Sequence, residues 1–138
     1  MSGKKIGGAG LRGQSAGETS ICTVGVSGSG LTYRGFDIVD LAENTTFEEV
    51  AYLLLKGKLP NLQELKAYIE KLKTLRGLQP ELRSTLEGIP KTAHPMDVLR
   101  TGCSVLGNLE QEEGFINQTD HADRMLSAFP SILSYWYQ

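Results

Sequence analysis

The sequence predicts a mainly α-helical fold with one small β-hairpin near its N-terminus. Two capping boxes, Thr46 with Glu49 and Asn61 with Glu64, each stand directly before an apolar run at helical spacing. Residues that favour extended structure gather in 20–34, on either side of Ser27-Gly28-Ser29-Gly30, which is turn chemistry. After Gly35 every element reads as helix, without the strand–helix alternation that a doubly wound sheet requires.

Residues 1–18 are rich in glycine and lack periodicity, so they are expected to form an irregular lead-in. Ile21, Thr23, Val24 and Val26, then Leu31, Thr32 and Tyr33, supply the two strands of the hairpin. A short helix follows over Asp37 to Glu43, with Ile38, Leu41 and Ala42 at helical spacing. The helix behind Thr46 places Phe47, Val50, Ala51 and Leu54 on one face and ends at Gly57 and Pro60. The helix behind Asn61 carries Leu62, Leu65, Ile69 and Leu72 as its apolar stripe, and Gly77 is expected to close it. Lys66, Glu70, Lys71 and Lys73 fall largely off that stripe, as on a solvated face.

Pro80 and Pro95 suit the first turns of two further helices, the second bearing Met96, Leu99, Arg100, Cys103 and Leu106. Residues 108–118 are polar and read as a loop. A last helix begins near Asp120 and carries Met125, Leu126, Phe129, Ile132, Leu133 and Trp136. Pro130 inside it predicts a kink or a break into two helices. The chain stops within the apolar stretch Ser134-Tyr135-Trp136-Tyr137-Gln138, without a glycine cap or polar tail, which leads us to expect further chain beyond it.

At 138 residues, 40% hydrophobic and 22% charged, the chain has ordinary globular composition. A net charge of −2 gives no electrostatic pull toward nucleic acid or an anionic membrane. No apolar run has the length of a membrane span, and no apolar stretch follows Lys4-Lys5, so neither a membrane anchor nor a signal peptide is expected. A cytoplasmic location follows as the expectation. Cys22 and Cys103 read as reduced, partly buried thiols.

Gly8-Ala9-Gly10-Leu11-Arg12-Gly13 matches G-x-G-x-x-G. The pattern binds a pyrophosphate only between a strand and a helix N-terminus, and neither flanks it here. His94, before Pro95, can cap a helix. His121 lies among Asp120, Asp123 and Arg124, and neither histidine has a Cys or His at ligand spacing, so no metal site is expected. Asp120 and Asp123 read as a solvated helix start favoured by the helix dipole. Read from residue chemistry alone, the chain is a helical piece without a self-contained catalytic constellation.

Several segments together resemble one family. Leu31-Thr32-Tyr33-Arg34-Gly35-Phe36-Asp37-Ile38 resembles the "YRGYDI" element of citrate synthases. Phe47-Glu48-Glu49-Val50-Ala51-Tyr52-Leu53-Leu54, Gly57-Lys58-Leu59-Pro60 and His94-Pro95-Met96-Asp97 follow at the family's spacing. The segments 15–25 and 131–137 resemble the 2-methylcitrate synthase branch. The resemblance implies that residues 19–138 are the N-terminal part of a citrate-synthase-type helical large domain. It implies an acyl-CoA:oxaloacetate condensation, with propionyl-CoA in this branch and acetyl-CoA in the citrate branch. The CoA thioester is a substrate, and no cofactor is implied.

In the family the two catalytic histidines and the aspartate lie downstream of the "HPMD" helix, so the resemblance assigns no catalytic residue to this chain. It offers Lys73 as a substrate-binding residue, by analogy with a basic residue on the same helix in some relatives. It also implies a homodimer, with 95–107 and 121–138 packed across the interface and charged substitutions at Leu106 and Leu133 as the test. A non-enzymatic helical interaction module is the competing expectation, and a nucleotide module at Gly8–Gly13 a third.

Overall fold

The computed structural model describes residues 17–25 and 30–138. The Gly8–Gly13 motif and the Ser27–Ser29 turn lie outside the described residues. Among those described are six helices and a three-stranded antiparallel sheet of order β1-β2-β3.

Strands β1 (Cys22–Val24) and β2 (Leu31–Tyr33) form the expected hairpin, with Cys22 opposite Tyr33 and Val24 opposite Leu31. A third strand, β3 (Phe36–Asp37), was not anticipated. It pairs with β2 through the two-residue turn Arg34-Gly35, whose φ angles are 50° and 90°. Two consecutive positive φ values are the signature of the tight hairpin turn that matches strand twist, and glycine suits its second position. The turn therefore explains why Arg34-Gly35 sits where it does in the "YRG" element.

Asp37 ends β3 and caps α1 (Ile38–Asn44) by accepting a 2.8 Å hydrogen bond from the Val39 N–H. Both predicted capping boxes are formed, at the starts of α2 (Phe47–Lys56) and α3 (Leu62–Thr74). Gly57 ends α2 in the left-handed conformation, with its N–H on the Leu53 carbonyl. Helix α3 stops at Thr74, before Gly77. Pro80 and Pro95 occupy the first turns of α4 (Pro80–Glu87) and α5 (Pro95–Leu109), and His94 Nδ1 accepts from the Met96 N–H at 3.2 Å as the α5 cap.

Helix α6 (Gln118–Tyr137) is continuous through Pro130 and does not break in two. Proline deprives the Leu126 carbonyl of its helical donor. Packing on both sides of the proline holds the helix together: Ala128 and Ile132 are fully buried and Trp136 is 5% exposed.

Helix α6 belongs to two cores. With Leu78, Leu82 and Leu86 beside α5's Val98 and Leu106, its residues Ala128, Ile132 and Trp136 form the larger one. The smaller one joins Ala51 of α2 to Tyr68 and Leu72 of α3, with Leu126 of α6 against it. Burial of this kind contributes about 25 cal/mol per Å² of apolar surface removed from water.

Two predicted stripes are only half right. Phe47 is 65% and Leu62 69% exposed, each in the first turn of its helix. Leu106 is 4% exposed inside the larger core. A charge there would disrupt the fold, so Leu106 cannot report on an intersubunit contact. No helix among the described residues is long and apolar enough to cross a membrane.

Candidate functional site

The sequence marked Asp120 and Asp123 as a solvated helix start, and for Asp123 that is incorrect. Asp123 is fully buried. Its Oδ1 accepts from the Tyr68 hydroxyl at 2.8 Å and its Oδ2 from Lys71 Nζ at 2.7 Å. Lys71 also donates to Asp120 at 2.6 Å, and Lys56 Nζ stands 4.0 Å from Asp123. The helical spacing of α3 sets Tyr68 and Lys71 three residues apart on one face, so both reach the same carboxylate.

This arrangement moves protons in predictable directions. Burial, then the Asp123 hydrogen bond, pushes the Tyr68 hydroxyl well above the usual tyrosine range. Burial pulls the Lys71 ammonium down, but its bonds to Asp120 and Asp123 more than offset this and leave it raised. Lys71 in turn lowers the exposed Asp120 carboxyl. Tyr68, Lys71 and Asp123 line a shallow cleft of about 280 Å³ with Tyr52, Lys56 and Glu64. Its positive and negative side chains already face one another, so the cluster fastens α3 to α6.

A second ion pair, partly buried, is formed by the next residue of α6. Arg124 Nε donates to both carboxylate oxygens of Glu110, at 2.9 and 3.1 Å, and its Nη1 donates to the Leu75 carbonyl at 2.5 Å. Gln79 adds a 3.0 Å bond to Glu110. One guanidinium thus ties together the ends of α3 and α5. His121 borders the adjoining cavity of about 110 Å³, with Cys103, Glu110, Glu112 and Arg124. Its Nε2 is buried without a hydrogen-bond partner. Cys22 and Cys103 are free of disulfides and half-buried, and Cys103 Sγ donates to Met125 Sδ at 3.7 Å. Among the described residues, no three His, Cys, Asp or Glu side chains are grouped to hold a metal ion.

Lys73, the substrate-binding candidate, is about half exposed and donates to Glu70 at 2.7 Å, one turn away on α3. It does not join the Tyr68–Lys71–Asp123 cluster. Arg34 is the functional-looking residue that sequence reasoning passed over. Its guanidinium donates to the Ser20 hydroxyl at 2.6 Å and to the Leu54 carbonyl at 2.9 Å. Leu54 lies in the last turn of α2, where carbonyls lack helical donors and a positive charge is favoured. The "YRG" pattern was the available signal for it.

The family model described as "Citrate synthase, C-terminal domain" matches residues 10–138. The chain is 67% identical over 135 residues to a protein of Shewanella oneidensis named 2-methylcitrate synthase, covering 98% of this chain and 36% of that protein. It is 39% identical to "2-methylcitrate synthase 2" of Corynebacterium glutamicum, over 91% of this chain and 33% of that one. The crystal structure of citrate synthase from Thermotoga maritima superposes with a TM-score of 0.79 at 39% identity, covering 94% of this chain and 34% of the solved one. The chain therefore spans about a third of the length of these relatives.

Proposed function

This chain belongs to the citrate synthase family, and from that premise we propose that it is the N-terminal part of a 2-methylcitrate synthase. The observation that carries the branch is the 67% identity to the Shewanella protein of that name.

In this reading the whole enzyme condenses propionyl-CoA with oxaloacetate. A carboxylate removes a proton alpha to the thioester while a histidine hydrogen-bonds the forming enol oxygen. The carbon so freed bonds to the oxaloacetate ketone carbon, whose oxygen a second histidine polarises and which takes up a proton. Water then cleaves the thioester and CoA leaves. These three groups belong to segments downstream of residues 1–138.

The chain's own share is structural. The "YRG" turn, the two capping boxes and the "HPMD" helix start position the helices on which the rest of the enzyme is built. Lys73 is the one candidate ligand contact, and to serve it would exchange Glu70 for an anionic substrate group. The working unit is a cytoplasmic homodimer in which α5 and the outer face of α6 meet a second subunit. Leu133, half-buried on α6, is the position at which a charge would test that interface.

Intact mass of the natural gene product tests the proposal. A mass well above 15.1 kDa is expected. Pure 138-residue protein should release no CoA from either acyl-CoA in the presence of oxaloacetate. A gene product of 15.1 kDa, or CoA release by the short chain, would overturn it.

A further inference from the structure

Three side chains with soft or nitrogen lone pairs meet where α5 packs on α6. Cys103 of α5 holds its Sγ 3.7 Å from Met125 Sδ of α6. His121 stands one turn earlier on the same face of α6, since residues four apart are neighbours on a helix surface. All three line the cavity of about 110 Å³ that Glu110 and Arg124 also border. The Nε2 atom of His121 is shut off from solvent and has no hydrogen-bond partner. A buried nitrogen left in that state calls for an ion or a water to satisfy it.

The sulfurs favour an ion. Thiol and thioether are weak hydrogen-bond partners, so a water gains little from them. For soft metals they are preferred ligands, and imidazole is a common companion. A metal about 2.3 Å from each sulfur, the usual thiolate distance, sees two sulfurs 3.7 Å apart at an angle of about 107°. That is close to the tetrahedral angle, so the pair already has the spacing of two ligands on one ion.

Charge narrows the choice of metal. Glu110 and Arg124 neutralise each other in the cavity wall, and Glu112 is exposed. Among the described residues, no third His, Cys, Asp or Glu is grouped with Cys103 and His121 to hold a metal. A single thiolate therefore balances a single positive charge. A divalent ion would leave an uncompensated charge in a partly buried site.

We propose that Cys103, His121 and Met125 form a three-coordinate site for a soft monovalent cation, Cu(I) in kind. On binding, the thiol S–H bond breaks and its proton leaves to solvent, while the sulfur keeps the electron pair that forms the bond to the metal. Met125 Sδ and His121 Nε2 each add a lone pair, the ring proton lying on Nδ1. No electron is gained or lost. The ion clips α5 to α6 across the loop that joins them. Methionine is the reason that His and Cys spacing showed no sign of this site.

The test is anaerobic competition for Cu(I) between the full-length gene product and the coloured chelator bicinchoninate. The unmutated protein should withdraw one equivalent of Cu(I) per chain more than Cys103→Ser does. Met125→Leu, which keeps the side-chain volume, and His121→Gln should each weaken that equivalent by about tenfold or more. Excess Zn(II) should leave it in place. Equal uptake by the unmutated protein and Cys103→Ser would overturn the proposal. Full affinity in either Met125→Leu or His121→Gln would overturn it as well, because the missing group would then not be a ligand. Displacement by Zn(II) would overturn the assignment to a soft monovalent ion. If a variant is insoluble, alkylation of the unmutated protein, mapped by peptide, takes its place. Cu(I) should slow modification of Cys103 by about tenfold or more, with Cys22 on β1 as the reference outside the cavity. Cys103 modified equally fast with and without Cu(I) would overturn the proposal.

Discussion

Tyr68 and Asp123, 55 residues apart in the chain, meet in a buried 2.8 Å hydrogen bond that joins α3 to α6. Asp123→Ala would leave the Tyr68 hydroxyl and the Lys71 ammonium short of their acceptor. The buried Tyr68 hydroxyl loses its acceptor while the part-exposed Lys71 keeps Asp120, a loss of about 2–3 kcal/mol. Tyr68→Phe removes one donor and should cost about 1–2 kcal/mol. Urea unfolding of the two variants gives both values, and equal losses would contradict the assignment of the buried carboxylate as the more costly partner.

Stability should depend on pH through Lys71 and Asp120. The Asp120 carboxyl is lowered by Lys71, so its contribution is present above the unfolded value of about 3.9 and is lost as pH falls through its lower folded value. Lys71 is raised, so its contribution is complete below about 10.4 and is lost as pH rises through its higher folded value. The pair therefore stabilises the fold between about pH 4 and pH 10. Asp120→Asn should flatten the acid limb of a stability–pH curve and leave the alkaline limb to Lys71 and Asp123. Because Asp120 is exposed, high salt should shrink the difference.

These contacts also mark where the sequence was legible and where it was not. Thr46 with Glu49 and Asn61 with Glu64 were readable because a capping box is local: the donor and acceptor lie three residues apart. Pro80 and Pro95 were readable for the same reason. The burial of Asp123 was not, since it depends on Tyr68 and Lys71 from another helix, and a charged residue near a helix start ordinarily faces water. Phe47 and Leu62 satisfied the helical period but stand exposed in the first turns of their helices. The continuity of α6 through Pro130 came from packing on both sides of the proline, which periodicity does not register. The short strand β3 was hidden because two residues carry no alternation. As for the site, His94 was legible as a cap, whereas the Arg124–Glu110 pair spans two helices and left no local trace.

Arg34→Ala should loosen the sheet from α2 while sparing the larger core. Arg34 alone carries the side-chain bonds to Ser20 and the Leu54 carbonyl. Amide exchange of Cys22–Val24 and Leu31–Tyr33 should accelerate, while amides of α4 and α5 keep their wild-type rates. Uniform acceleration across the chain would show that Arg34 supports the whole fold instead.

Gly102 of α5 packs directly against Ile132 of α6. A Cβ placed there would stand 3.0 Å from two carbon atoms of the fully buried Ile132. Gly102→Val should destabilise by about 1–3 kcal/mol through overpacking. Restoring space with Ile132→Ala in the same chain should recover part of the loss, and strictly additive losses in that double-mutant cycle would contradict the contact.

The most direct test of the enzyme assignment is CoA release by the full-length gene product with oxaloacetate, comparing kcat/KM for propionyl-CoA and acetyl-CoA. Turnover of both is expected, with propionyl-CoA preferred by about tenfold or more, a difference of about 1.4 kcal/mol in transition-state binding. A preference for acetyl-CoA would move the protein to the citrate branch, and no CoA release from either substrate would contradict the enzyme reading itself.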